Sequence, residues 1–256
     1  MRTLAGAAVD AIGAWCGFSR AARSDVAAEF LVWTGFGIHT MLFNLYLAES
    51  GFQEAFVGKA IGVTGVGLAV TAIPAGLLAD RWGRRRCLVL GAVVLGLGLL
   101  LRACVLAPAA LLLSGFVAGA GQSAFVVASL PFLAEHSGPR ERMRLFGVFY
   151  AVFALAGVAG SLLGGAIPAA LLALPEALRP AGTGAARAAL ALAGVTAMAA
   201  WLPLARLRDL RESTAGGHAC VATRGQARLL LPVAVNFLLL GGGAGLVIPF
   251  MNLYFR

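Results

Sequence analysis

Charge is what this sequence has least of. Only 12% of its 256 residues are Asp, Glu, Lys or Arg, whereas a soluble domain averages about 25%, so it cannot clothe a water-facing surface. Acids are scarcer than bases, 11 against 20, and Lys59 is the only lysine. The net charge of +9 is no nucleic-acid signal, because the arginines fall between long apolar runs. Cysteine is sparse too. Cys16, Cys87, Cys104 and Cys220 have no metal-ligand spacing and form no disulfide framework. Nothing resembles a P-loop, which argues against a pump that hydrolyses ATP itself. No nucleophile and base meet within one membrane layer, so an enzyme is not expected, nor is a cofactor. Gly119-Ala120-Gly121-Gln122-Ser123-Ala124 fits G-x-G-x-x-A but lies in an apolar helix with no preceding strand. Gly121-Gln122-Ser123 resembles an intramembrane serine protease, yet no later span holds a deep histidine as base.

What the chain does have is apolar length: 60% of its residues are hydrophobic and 34 are glycine. A helix needs roughly 20 apolar residues to cross the hydrocarbon core. Seven stretches qualify, approximately Val26–Leu47, Ala55–Leu78, Cys87–Leu106, Ala109–Leu133, Met143–Leu171, Ala185–Leu204 and Leu229–Phe255. This predicts an all-α polytopic membrane protein in the lipid bilayer. Residues 1–25 read as a cytoplasmic N-terminal segment, with Trp15 and Phe18 at the headgroups. Residues 26–206 read as a six-helix bundle, 207–228 as a cytoplasmic loop and 229–256 as a seventh helix. The run Ala5–Phe18 is interrupted by Asp10 and lacks a cleavage site.

Arginine placement sets the expected orientation. With the N-terminus inside, the inner side holds Arg2, Arg20, Arg23, Arg81, Arg84–Arg86, Arg140, Arg142, Arg144, Arg206, Arg208, Arg211, Arg224 and Arg228. Lys59, Arg102, Arg179, Arg187 and Arg256 fall outside. That asymmetry predicts a multi-pass protein of the inner (plasma) membrane with a cytoplasmic N-terminus.

Between the second and third apolar runs lies Gly76-Leu77-Leu78-Ala79-Asp80-Arg81-Trp82-Gly83-Arg84-Arg85-Arg86. An ordinary positive-inside loop explains its arginines, but not Asp80, the two glycines and their spacing together. The stretch resembles the cytoplasmic signature of the major facilitator superfamily, G-x-L-a-D-R-x-G-R-[KR]-[KR]. The resemblance implies two six-helix bundles, each of two three-helix repeats, that rock about a midplane site. It also implies that Asp80 faces a helix N-terminus in the other half, while Arg81 and Arg84 tie the inner gate to carboxylates such as Glu135 and Glu141. Glu135 reads equally well as a solvated helix-end acid.

Two further stretches resemble family motifs. Gly160-Ser161-Leu162-Leu163-Gly164-Gly165 is similar to the antiporter signature G-P-x-x-G-G, with Ser161 in place of proline. Gly157, Gly160, Gly164 and Gly165 are spaced to let helices touch backbone to backbone. The fourth span departs from L-x-x-x-R-x-x-Q-G-x-G: Leu111 is followed by Gly115 where the arginine belongs and Ala118 where the glutamine belongs, then Gly119 and Gly121.

No Asp or Glu falls in the middle of a span; Glu29 is about one turn into the first. Lys59 and Arg102 lie near outer ends and are expected to snorkel. The deep polar residues are His39, Thr40, Asn44, Gln122, Ser123 and Asn236. First, fourth and seventh helices line the cavity in the family, so His39, Asn44 and Gln122 are the expected cavity residues. Interhelical hydrogen bonding is the competing role, preferred for Ser123 and Asn236. His218-x-Cys220 in the long loop is too sparse for a metal site.

The first and seventh spans share G-x-G-x6-N-L-Y: Gly35, Gly37 and Asn44-Leu45-Tyr46 match Gly243, Gly245 and Asn252-Leu253-Tyr254. The seventh helix thus reads as the first of a second copy, and the chain as a fragment whose missing C-terminal half is its expected partner. The function expected is alternating-access transport of a small molecule, proton-coupled efflux included. Scarce cavity charge favours a neutral or amphipathic substrate. The rival expectation is a truncated, non-transporting membrane protein or interaction module.

Overall fold

The computed structural model describes residues 15, 17–139, 141–175 and 180–207. The seventh span, its repeat with the first, Asn236, His218 and Cys220 all lie outside the described residues. Within them the chain forms helices: α1 Arg20–Glu49, α2 Glu54–Trp82, α3 Arg84–Cys104, α4 Pro108–Glu135, α5 Arg142–Leu172, α6 Gly184–Ala199 and the short α7 Trp201–Ala205, which continues α6. Six helices, counting Gly184–Ala205 as one, are long and apolar enough to cross a membrane.

The boundaries have local causes. Ser19 caps α1: its Oγ accepts from the Ala22 N–H at 3.2 Å and donates to the His136 carbonyl at 2.9 Å. The first helix therefore begins six residues before Val26, and Asp25 is helical rather than part of a leading segment. Pro108 opens α4, where a missing N–H costs nothing. The polar hairpin is shorter than the sequence suggests. Asp80, Arg81 and Trp82 complete α2 and Arg84 starts α3, so Gly83 alone reverses the chain. It does so at φ 95°, a conformation that strains any residue with a Cβ.

The packing has an internal symmetry. The extensive contacts are α1 with α5 and α6, α4 with α2 and α3, and α3 with α6. Exchanging α1–α2–α3 for α4–α5–α6 leaves that set unchanged, the pattern expected of two three-helix repeats. Two arginines repeat the symmetry. At the start of α3, Arg85 donates to the Leu204 and Ala205 carbonyls that end α7. At the start of α6, Arg187 donates to the Ala103 and Cys104 carbonyls that end α3. Both satisfy orphan C-terminal carbonyls.

Close approach rests on glycine, though not on every glycine expected. A Cβ at Gly160 would meet Gly37 Cα at 2.9 Å, and one at Gly164 would meet Met41 Cβ at 3.2 Å, so both hold α5 against α1. Gly157 presents its carbonyl to Gly37, but a Cβ on Gly157 itself meets nothing within 4 Å. Gly165 is exposed and equally open, so the packing role expected of it is corrected: it lies on the side of α5 turned away from α1.

Candidate functional site

At the hairpin end, α2, α3 and α4 bring their termini together. Arg84 Nη1 lies 2.6 Å from Glu135 Oε1, and Arg84 Nη2 lies 4.0 Å from Asp80 Oδ1. The short α2–α3 turn makes this possible, placing Arg84 in the first turn of α3 beside the last turn of α4. Gly76, one turn before Asp80, faces Val127 of α4. Arg81 is exposed and makes no ion pair among the described residues. Arg85, taken with the hairpin arginines in sequence, spends its guanidinium on α7. Glu141 is exposed as the N-cap residue of α5.

Further into the bundle lies a group that the sequence pattern does not announce. Asp25 and Glu29 are one helical turn apart on α1 and are 0% and 2% exposed. Ser129 of α4 reaches both: its Oγ is 2.5 Å from Glu29 Oε1 and 3.3 Å from Asp25 Oδ2. Trp33, one turn beyond Glu29, donates its indole N–H to Glu29 Oε2 at 2.5 Å. Asp25 Oδ1 is buried without a hydrogen-bond partner. The available signal was Asp-x3-Glu-x3-Trp, which sets all three on one helix face. A span beginning at Val26 excludes Asp25 and puts Glu29 near its edge, whereas α1 begins at Arg20 and includes both.

Arg102 is the second correction. It does not snorkel: it is 1% exposed and among the largest fully buried side chains. Its Nη2 donates to the Ala60 carbonyl and to Thr64 Oγ1, both at 2.7 Å. Its guanidinium carbon lies 4.4 Å from the centroid of the Phe43 ring. The room for it comes from Gly115, where a Cβ would strike Nη2. The cation that the fourth-span pattern lacks at Gly115 is thus supplied at that place by the third span. Arg102 has no carboxylate partner among the described residues, and its Nε has no partner.

The three expected cavity residues do not gather around one opening. His39 is 6% exposed and stacks on Phe43 at 4.6 Å, placing it with Arg102 inside the bundle. Asn44 is also enclosed, at 4% exposure, whereas Gln122 on α4 is half-buried. Thr40 is exposed and bonds to its own helix at Phe36. The reason is that α1 packs extensively on α5 and α6 and also touches α2, α3 and α4. On a helix wrapped this way, a polar face is not a cavity face. Three charged residues, Asp25, Glu29 and Arg102, are nevertheless enclosed by the described helices.

A family model for the Major Facilitator Superfamily matches residues 26–256. The chain belongs to the Major Facilitator Superfamily. Members of this superfamily are membrane transporters, not enzymes, and the six apolar helices agree with a multi-pass membrane protein. Over 119 residues the chain is 34% identical to the inner membrane transport protein YajR of Escherichia coli (strain K12), covering 46% of this chain and 26% of that one. It is 34% identical over 153 residues to a multidrug resistance protein B homolog of Mycobacterium tuberculosis (strain ATCC 25618 / H37Rv), covering 58% and 28%. It is 28% identical over 152 residues to the Na(+), Li(+), K(+)/H(+) antiporter of Planococcus maritimus, covering 57% and 36%. The matched stretches thus span 26–36% of these relatives' own length.

Proposed function

We propose that this chain forms the N-terminal bundle of a secondary transporter that exports a small amphipathic molecule by alternating access, in exchange for protons. The observation that carries the reading is the charged cluster at the hairpin end, where Arg84 lies 2.6 Å from Glu135 of α4 and 4.0 Å from Asp80 of α2. In this reading the hairpin end is cytoplasmic, residues 26–206 act as one rigid bundle, and the rest of the chain begins the second. Asp80 and Arg84 hold the inner side shut while the bundles open outward. Exposed apolar side chains along α2 and α5, such as Val70, Ile73, Leu155 and Leu162, suit a surface that meets the second bundle or lipid. Export, and an ion gradient as its driving force, are supported by the multidrug resistance and antiporter names among the relatives.

The test begins at the gene. Sequencing past the codon for Arg256 should reveal further apolar spans. The product of the whole reading frame is then placed in proteoliposomes under an imposed proton gradient, with ethidium as an amphipathic probe. Gradient-dependent ethidium movement is expected, with at least a tenfold loss in Asp80→Asn. Normal insertion and folding with no gradient-dependent movement of any probe in an amphipathic panel would refute transport. Undiminished transport in Asp80→Asn would refute the closure.

A further inference from the structure

We propose that Asp25 and Glu29, bridged by Ser129, hold one exchangeable proton and are the proton-binding site of the transporter. The word transporter rests on the reading above; the proton site rests on geometry alone.

A serine hydroxyl has one hydrogen to donate and two lone pairs to accept with. Ser129 Oγ is within hydrogen-bond distance of two carboxyl groups, Glu29 Oε1 at 2.5 Å and Asp25 Oδ2 at 3.3 Å. It can donate to only one. The second contact is a hydrogen bond only when a carboxylic acid donates into Ser129 Oγ. Glu29 already receives Trp33 on its other oxygen, so with the Ser129 hydrogen it has two donors and is suited to the charged form. The proton then belongs on Asp25 Oδ2, donated to Ser129. Asp25 Oδ1, buried without a donor, is tolerable as the carbonyl oxygen of a neutral acid. On a carboxylate it would be a bare buried charge.

Among the described residues no ion pair neutralises the two carboxyl groups. Of the charged groups on the helices packed around α1, Asp80 and Arg81 on α2, Arg84–Arg86 on α3, Glu135 on α4 and His136 after it, Arg142 and Arg144 on α5 and Arg206 after α7 lie at the hairpin end; Glu54 and Lys59 on α2, Arg102 on α3 and Arg187 on α6 lie toward the opposite end, and α1 itself carries exposed Arg20 and half-buried Arg23 near the pair. Three of these arginines have partners elsewhere: Arg84 on Glu135, Arg85 on the end of α7, Arg142 on the Ala134 carbonyl. Among the described residues neither Asp25 nor Glu29 makes an ion pair, and no third Asp, Glu, His or Cys joins them to hold a metal. A calcium-like cation asks for six or more oxygens; a proton asks for no space. Losing the proton places two like charges on either side of Ser129, between α1 and α4. Ser129 is six residues from Glu135 along α4, about 9 Å at 1.5 Å per residue, so the proton sits on the helix that carries the Arg84 ion pair.

Trp33 is a built-in reporter. In the full-length protein carrying Trp15→Phe, Trp82→Phe and Trp201→Phe, with any downstream tryptophans likewise replaced, Trp33 fluorescence is followed in nanodiscs from pH 4 to 10. A single-proton transition is expected, abolished in Asp25→Asn/Glu29→Gln. Where that double variant is not monodisperse, Ser129→Ala is used, and the midpoint is expected to move by about one pH unit, tenfold in proton affinity. A flat titration overturns the proposal, as does a transition unchanged in the double variant or in Ser129→Ala. Transport is measured separately. Titration without transport keeps the site and refutes the transport reading; transport without titration does the reverse.

Discussion

Alanine at Gly160 and alanine at Gly165 perturb the same helix five residues apart, with opposite expected signs. A Cβ at Gly160 would sit 2.9 Å from Gly37 Cα and 3.0 Å from Ile38 N, with the Thr34 carbonyl closer still. Ordinary Cβ contacts begin near 3.4 Å, so α1 and α5 must separate, and by more than the roughly 0.5 Å that Gly37 Cα alone would require, because the Thr34 carbonyl is nearer. All three obstacles are backbone, which cannot turn aside as a side chain tip can. Overpacking of this kind costs typically 1–3 kcal/mol. Replacing a helical glycine returns about 1 kcal/mol of propensity, leaving Gly160→Ala destabilised by up to about 2 kcal/mol. At Gly165 nothing lies within 4 Å, so only the propensity gain of about 1 kcal/mol remains. The assay is reversible unfolding of both variants in mixed micelles, read by circular dichroism. A gap of roughly 1–3 kcal/mol between them is expected. Equal stabilities, or Gly165→Ala as the weaker protein, would refute the α1–α5 packing described here.

Among the described residues Arg102 has no carboxylate partner, and keeping a charge buried without an opposite charge is costly, a cost that an apolar replacement removes. Arg102→Leu should therefore melt no lower than the parent while transport falls at least tenfold; a lower melting temperature with full transport would make the residue purely structural. For Arg84 and Glu135, a double-mutant cycle with glutamine at each position should give a coupling of about 0.2–1 kcal/mol that shrinks in 1 M salt. A coupling that is zero at low salt contradicts the 2.6 Å contact. Gly83→Ala should cost roughly 1–2 kcal/mol, since alanine resists a φ of 95°; no loss in thermal stability would mean that the chain reverses differently.

The sequence by itself determined the membrane environment, the number of helices among residues 26–206 and the superfamily. Apolar runs of 20 or more residues are long-range and unambiguous. Asp80, Gly83 and Arg84 carry meaning through spacing alone. The Arg84–Glu135 contact was only half legible: the alternation of spans places both residues on one side, but Glu135 reads equally well in sequence as a solvated helix-end acid. Only the tertiary structure decided which polar residues are enclosed. Asp25 and Glu29 look like helix-end acids until Ser129 closes over them. Arg102 looks like a snorkelling end residue until Gly115, on another helix, leaves room for its guanidinium. Gly160 and Gly165 are alike in sequence and differ only because α1 lies on one side of α5. Periodicity along one helix reports that helix's own faces, whereas burial depends on which neighbours cover them.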